Sequence, residues 1–242
     1  MLRHLLFVVS LIGSLAAPST ARAGFDAAAD FSPTSNPNGV WSYGWTQALG
    51  SSFIADAIHE SEAGLDFWEG SIANGATPGS FPLVVHNGTA NTIITAGTVS
   101  VAPGQLALHP GPDNEYSVLR WTAPRNDAVS IRSVFDGFDF VGPTSTDVHV
   151  LHNGSSLFDD DVQGFGGSSA VTFNSVLTVA QGDTIDFAVG FGRNGSFFFD
   201  TTGLSTTIAT VPEPTARALF FVGSLGLLIH GLRRRNKVCA AY

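Results

Sequence analysis

The chain has 242 residues, with 20 Asp and Glu against 11 Lys and Arg and a formal net charge of −9. An acidic balance of this size repels nucleic acid and anionic lipid, so neither is an expected partner of the folded body. The one cysteine, Cys239, lies three residues from the C-terminus, which excludes a domain stapled by disulfides.

The N-terminus reads as an export signal. Arg3 and His4 form a basic start, Leu5 to Ala17 is an apolar run, and Ala21-Arg22-Ala23 is a small-x-small cleavage site. This pattern predicts a signal peptide over 1–23, passage through the Sec machinery, and a mature chain starting at Gly24. The run is short for a spanning helix and ends in Pro18-Ser19-Thr20.

Residues 24–209 then form one region large enough for a single domain with a full core. It carries nineteen carboxylates against four arginines (Arg120, Arg125, Arg132, Arg193) and no lysine, a formal balance of −15. No stretch shows a sustained 3.6-residue apolar period, and short apolar or alternating runs dominate. Trp41, Tyr43 and Trp45 alternate, so an extended backbone puts all three on one face. A short helix is expected near 50–64. Strands are expected over 81–86, 91–101, 116–122, 128–135, 146–152, 171–179 and 184–191. Ile185, Phe187, Val189 and Phe191 should share a buried face with Val129, Ile131, Val148, Val150, Val171 and Phe173 opposite. Asn87-Gly88, Asn153-Gly154 and Asn194-Gly195 each sit between apolar runs and read as type I′ hairpin turns, since Asn-Gly supplies two positive φ angles. Many short strands spaced by turns imply an all-β sandwich or barrel.

The body also resembles jelly-roll β-sandwich modules of the carbohydrate-binding type in exported proteins of environmental bacteria. The residues carrying this are Asn36-Pro37-Asn38-Gly39-Val40-Trp41-Ser42-Tyr43-Gly44-Trp45, Leu108-His109-Pro110-Gly111, Leu119-Arg120-Trp121-Thr122-Ala123-Pro124, Thr146-Asp147-Val148-His149-Val150 and Gly182-Asp183-Thr184-Ile185-Asp186-Phe187. The resemblance implies a single jelly-roll-like sandwich that binds polysaccharide.

Trp41, Tyr43, Trp45 and Trp68 are the candidate sugar-stacking residues. An exposed indole or phenol offers a flat apolar face to the C–H face of a pyranose, with a polar handle for hydroxyls. The competing reading places them in the core. Asp159-Asp160-Asp161, read as a solvated loop, is the densest acidic run and a candidate calcium ligand set, because calcium takes six to eight oxygens. Asp30 and Asp200 would form a second calcium candidate if the terminal strands pair. His109, His149 and His152 lack a zinc-type spacing, and His149 and His152 face opposite ways on a strand. His109 reads instead as a turn histidine bonded to backbone. No Gly-x-Ser-x-Gly, Walker or dinucleotide glycine pattern occurs, so no catalytic residue is named and a non-enzymatic protein is expected.

The C-terminus closes the topology. Val211-Pro212-Glu213-Pro214 precedes an apolar run to Leu232, followed by Arg233-Arg234-Arg235-Asn236-Lys237. The span from Pro214 to Leu232 is just long enough to cross a bilayer as a helix, and the basic cluster favours the cytoplasmic side. This order of parts over 211–237 resembles the PEP-CTERM sorting signal of bacterial surface proteins. The resemblance implies handling by an exosortase and placement in the envelope, at the cell surface, or in the extracellular matrix after processing. The expected protein is thus a membrane-sorted matrix protein with a polysaccharide-binding sandwich. Two alternatives are a glycan-active hydrolase and a purely structural surface protein.

Overall fold

A computed structural model describes residues 24–70, 82–142 and 144–211. The signal peptide and the sorting signal beyond Val211 lie outside these residues, and no described helix is long and apolar enough to cross a membrane.

The described chain is all-β, with sixteen strands in two large antiparallel sheets and one hairpin, plus a single 3-10 turn at Gly192–Asn194. The eight-stranded sheet runs β14 (Gly166–Val179), β11 (Asp127–Gly137), β16 (Thr202–Thr210), β9 (Leu106–His109), β6 (Leu83–His86), β5 (Leu65–Glu69), β4 (Ile58–Glu62), with β1 (Gly24–Asp26) beside β16. The six-stranded sheet runs β13 (Ser155–Gly164), β12 (Thr144–His152), β15 (Thr184–Gly190), β10 (Tyr116–Thr122), β2 (Trp41–Thr46), β3 (Ile54–Ala55). From β10 onward the chain repeatedly crosses between the sheets. The two sheets pack face to face, and where a strand has its outer face in solvent, apolar and polar side chains alternate along it.

The core lies between the two inner faces. Trp41, Tyr43, Leu119, Trp121, Ile185, Phe187, Val189, Val148 and Val150 come from one sheet. Trp68, Val84, Leu106, Leu108, Val129, Ile131, Phe135, Phe173 and Ile208 come from the other. Register explains the match. Leu119 pairs with Phe187 and Trp121 with Ile185, so same-face side chains stack across strands. Val148 and Val150 flank Phe187 within its own sheet rather than opposing it. Phe191 falls beyond the end of β15 and is half-buried.

Three turn and helix expectations are corrected. Asn153-Gly154 does join β12 to β13 with both φ angles positive, at 51° and 78°. Asn87-Gly88 makes no hairpin: β6 pairs with β5 and β9, and the buried Asn87 side chain donates to the carbonyls of Asn91 and Val101. An Asn whose amide is used inside the fold is not a turn residue. Asn194-Gly195 ends the 3-10 turn, and Phe197 to Phe199 do not pair back onto β15. Residues 50–64 hold strands β3 and β4 in place of a helix, because sheet pairing overrides a weak local preference. The 91–101 run is a tight hairpin, β7 (Ile93–Thr95) and β8 (Val99–Val101), which turns at Ala96 and Gly97 with positive φ.

Sheet geometry also orients the molecule. Gly24 pairs with Ala209, so both ends of the main described body lie at one end of the sandwich. Thr202, at the start of β16, pairs with Gly137 and Leu108 at the other end. Nine residues of β16 separate the two ends by roughly 27–30 Å.

Candidate functional site

The predicted stacking residues come together, but on the inner face. Trp41, Tyr43 and Trp68 are 1%, 0% and 8% exposed, and Tyr43 stacks on Trp68 at 6.1 Å. Their polar atoms are used internally. The Trp41 indole donates to Asp30, the Trp68 indole to the Ser32 carbonyl, and the Tyr43 hydroxyl accepts from the Ser32 amide. Burial pushes the Tyr43 hydroxyl up to about 12. These three therefore fill the core, and none is open to a sugar. Trp45 is half-buried, its indole against Gly70. The correction follows from period 2: the face that gathers Trp41, Tyr43 and Trp45 is the face that carries the core.

The acidic run is not a loop. Asp159, Asp160 and Asp161 lie within β13, so 159 and 161 share a face and 160 takes the other. Asp159 pairs with His149, and Asp161 with Asp147, across the β12–β13 ladder. Among the described residues, no group of three or more His, Cys, Asp or Glu is arranged to hold a metal ion. Asp30 and Asp200 do not meet, because Asp30 accepts from Trp41 near the chain ends while Asp200 accepts from the Ser145 amide at the far end. His109 is half-buried with its Nδ1 2.8 Å from the Pro110 carbonyl.

What the ladder does assemble is a cleft. Asp147, His149, Asp159 and Asp161, on one face of the β12–β13 ladder, line a recess of about 410 Å³ together with Asp160, Gly192 and Arg193. Two glycines beside it have no room for a side chain. A Cβ on Gly190 would sit 2.4 Å from Asp147, and one on Gly192 2.3 Å from the Ser145 carbonyl. Glycine is required where the backbone packs this closely.

His149 is the centre of the site. Its Nε2 is 2.8 Å from Asp147 and its Nδ1 2.6 Å from Asp159. Desolvation pulls its pKa down, but the two carboxylate hydrogen bonds outweigh this and raise it above the ordinary value. Both ring nitrogens then donate, and the imidazolium bridges two carboxylates. Burial alone would raise Asp147. Hydrogen bonds from His149, the Gly192 amide and the Tyr116 hydroxyl hold it below the usual range instead. Ser156 and His149 hold Asp159 low in the same way. Arg193 reaches Asp161 at 3.7 Å with its side chain 91% exposed. The site is thus pre-organised, rich in fixed acceptors, and open to solvent. Asp147 and His149 were visible in the sequence as alternating residues on a strand, but no local signal placed them opposite Asp159 and Asp161.

The same end of the molecule holds Asp200, which is fully buried with one carboxylate oxygen unpartnered. Burial pushes it up to about 7 against the Ser145 amide, and the charges of Asp139 and Asp147 act in the same direction.

No family model and no curated protein matches the chain. Among solved structures it is similar to a family 51 carbohydrate-binding module from Clostridium perfringens in complex with methyl-galactose. That match has 15% identity and a TM-score of 0.31, over 50% of this chain and 79% of that one. A family 35 carbohydrate-binding module from Clostridium thermocellum matches at 11% identity and a TM-score of 0.27, over 63% and 87%. Rabbit GITRL matches at 13% identity and 0.27, over 40% and 74%.

Proposed function

We propose that this is an exported, membrane-sorted, non-enzymatic protein of the bacterial envelope or extracellular matrix, whose β-sandwich holds polysaccharide in the cleft around His149. The observation that carries the binding claim is the cleft itself. Fixed carboxylate acceptors at Asp147, Asp159 and Asp161 suit the hydroxyl donors of a sugar, and Arg193 supplies a donor. The repeated crossing between sheets supports a jelly-roll reading of the sandwich. Export and sorting rest on the signal-like first 23 residues and the Pro-Glu-Pro, apolar and basic order of the tail. The non-enzymatic reading is supported by the absence of a catalytic sequence motif and by the pairing in the cleft, where His149 is engaged at both ring nitrogens and is not itself a free base.

Four carboxylates against His149 and Arg193 leave the cleft lining net negative. A neutral glycan fits that charge, and a uronate polymer is repelled by it. The test is retention of the full chain on insoluble neutral polysaccharides, with reducing-sugar release measured in parallel. Retention without release is expected, with loss of retention in Asp159→Asn/Asp161→Asn. Release of reducing ends that disappears in Asp147→Asn would replace this reading with a hydrolase.

A further inference from the structure

Nine large apolar side chains are exposed among the described residues, and five of them gather at one end: Phe140, Val141, Phe165, Phe198 and Phe199. Phe140 packs edge-on against Phe165 at 6.1 Å. Phe198 stacks on Phe197 at 4.5 Å. The Phe199 ring lies against the backbone of Gly142, where an added Cβ would meet it at 2.4 Å. Two aromatic pairs are thus joined into one patch by 140–142. Phe198 is 65% exposed, among the least favourable places for a phenyl ring in a protein without a partner.

The backbone adds a second observation. Phe199 has φ 66°, a left-handed conformation that a bulky side chain rarely adopts. Strain of this kind persists where the surrounding structure over-determines it, and it clusters at functional surfaces. Here the segment is pinned on both sides. Asn194 donates to the Ser145 hydroxyl, the Ser196 amide to Asn194, and the Phe198 amide to the Ser196 hydroxyl. The buried Asp200 follows directly and accepts from the Ser145 amide.

Position decides the occupant. The same segment that presents Phe198 and Phe199 begins at Gly192 and Arg193, which line the cleft. The patch and the recess thus share one chain segment, which lines the recess at Gly192 and Arg193 and carries the exposed rings at Phe198 and Phe199. It also lies at the end of the sandwich opposite Gly24 and Ala209, so a chain held by its tail points the patch away from its own membrane. The −15 balance of the body disfavours an anionic bilayer and a second copy of the chain alike. Flat apolar rings beside fixed hydrogen-bond acceptors match the two surfaces of a pyranose, its C–H face and its hydroxyl edge.

We infer that Phe198 and Phe199, with Phe140 and Phe165, form an aromatic platform that extends the His149 cleft into one binding surface for several consecutive residues of a neutral polysaccharide chain. The inference rests on the cleft reading and supplies the stacking residues that the sequence placed at Trp41, Tyr43, Trp45 and Trp68.

The test uses the full chain in detergent and three probes: microcrystalline cellulose, insoluble β-1,3-glucan and chitin. Phe198→Ala and Phe199→Gly remove the rings without touching the core, and glycine accepts the positive φ at 199. The double variant should keep the wild-type melting temperature and lose at least about tenfold in retention on whichever probe the wild type binds. Asp159→Asn/Asp161→Asn should lose retention as well. If the carboxylate variant loses retention and the phenylalanine variant keeps it, the platform is wrong and the cleft reading stands. If no probe is retained by the wild type, both fall. If the phenylalanine variant instead abolishes self-association in sedimentation, or binding to phosphatidylcholine vesicles, the patch is a protein or lipid contact and the inference is overturned.

Discussion

His149 and Asp200 show how single ionisable groups set the pH response of this end of the molecule. The raised pKa of His149 means that the folded state favours the charged ring. That stability is fully present below about pH 6.5 and is lost as pH rises through the folded value. Asp200, raised to about 7 from 3.8, favours its neutral form in the fold, so its contribution is also lost as pH rises, between about 4 and 7. Asp147 and Asp159 are depressed, and their contribution is lost only as pH falls through their folded values. The three effects together leave the stability maximum near pH 4, because the Asp200 contribution already declines above it. Asp200→Asn should flatten the alkaline side and gain on the order of 2–4 kcal/mol over wild type at pH 8 relative to pH 4. Denaturant melts at the two pH values measure this, and parallel curves for the two proteins would show that Asp200 titrates normally. Asp56 obeys the same rule in the interior. Both its carboxylate oxygens are buried without a hydrogen bond, and burial, with Glu69 nearby, drives its pKa well up.

At the scale of elements, β15 is the strand on which the sandwich depends. Ile185, Phe187 and Val189 are fully buried and Phe187 lies between Leu119 and Val150, so its ring is surrounded on both flanks. Phe187→Ala should cost about 3–5 kcal/mol, from lost transfer energy and the cavity left behind. A loss below about 1 kcal/mol in urea unfolding would mean that the neighbours collapse into the space. On the outer face the same strand carries Asp186, held by Arg120 through two hydrogen bonds of 2.6 and 2.8 Å, with the guanidinium 4.2 Å over the Phe53 ring. A bidentate pair capped by an aromatic locks the β10–β15 register on the side away from the core. Strand β2 was the instructive error. Its alternation of Trp41, Tyr43 and Trp45 correctly signals one shared face, but a strand pattern does not say which face meets water.

At the scale of the described sandwich, Gly24 and Ala209 lie at one pole, and Thr202, beside Gly137 and Leu108, lies at the other. If the proposed cleft holds glycan on a membrane-sorted chain, one shallow, solvent-open site would bind weakly and many copies on one membrane would add avidity without any new contact. Envelope fractions should hold a chain that begins at Gly24 and, in a host with an exosortase, lacks the segment after Pro214. Intact-mass spectrometry decides this, and a secreted form still carrying Arg233 to Tyr242 would end the sorting proposal.

Composition and period alone determined the all-β class, most strand positions, the Asn153-Gly154 hairpin and the buried face of β15, because these depend on neighbours in sequence. The signal-peptide and sorting-signal readings of the two terminal segments rest on compositional pattern alone and lie outside the described residues. Only tertiary structure decided which aromatics are core and which are exposed. Trp68 is buried by strands distant in sequence, and Phe198 is exposed because Asn194-Gly195 ends a 3-10 turn instead of closing a hairpin. The cleft was hidden for the same reason. His149 meets Asp159 through the β12–β13 ladder, and Gly190 and Gly192 pack against Asp147 and Ser145 only once the sheet and the turn are assembled. Local chemistry proposes residues, but a binding surface exists only where long-range pairing brings them side by side.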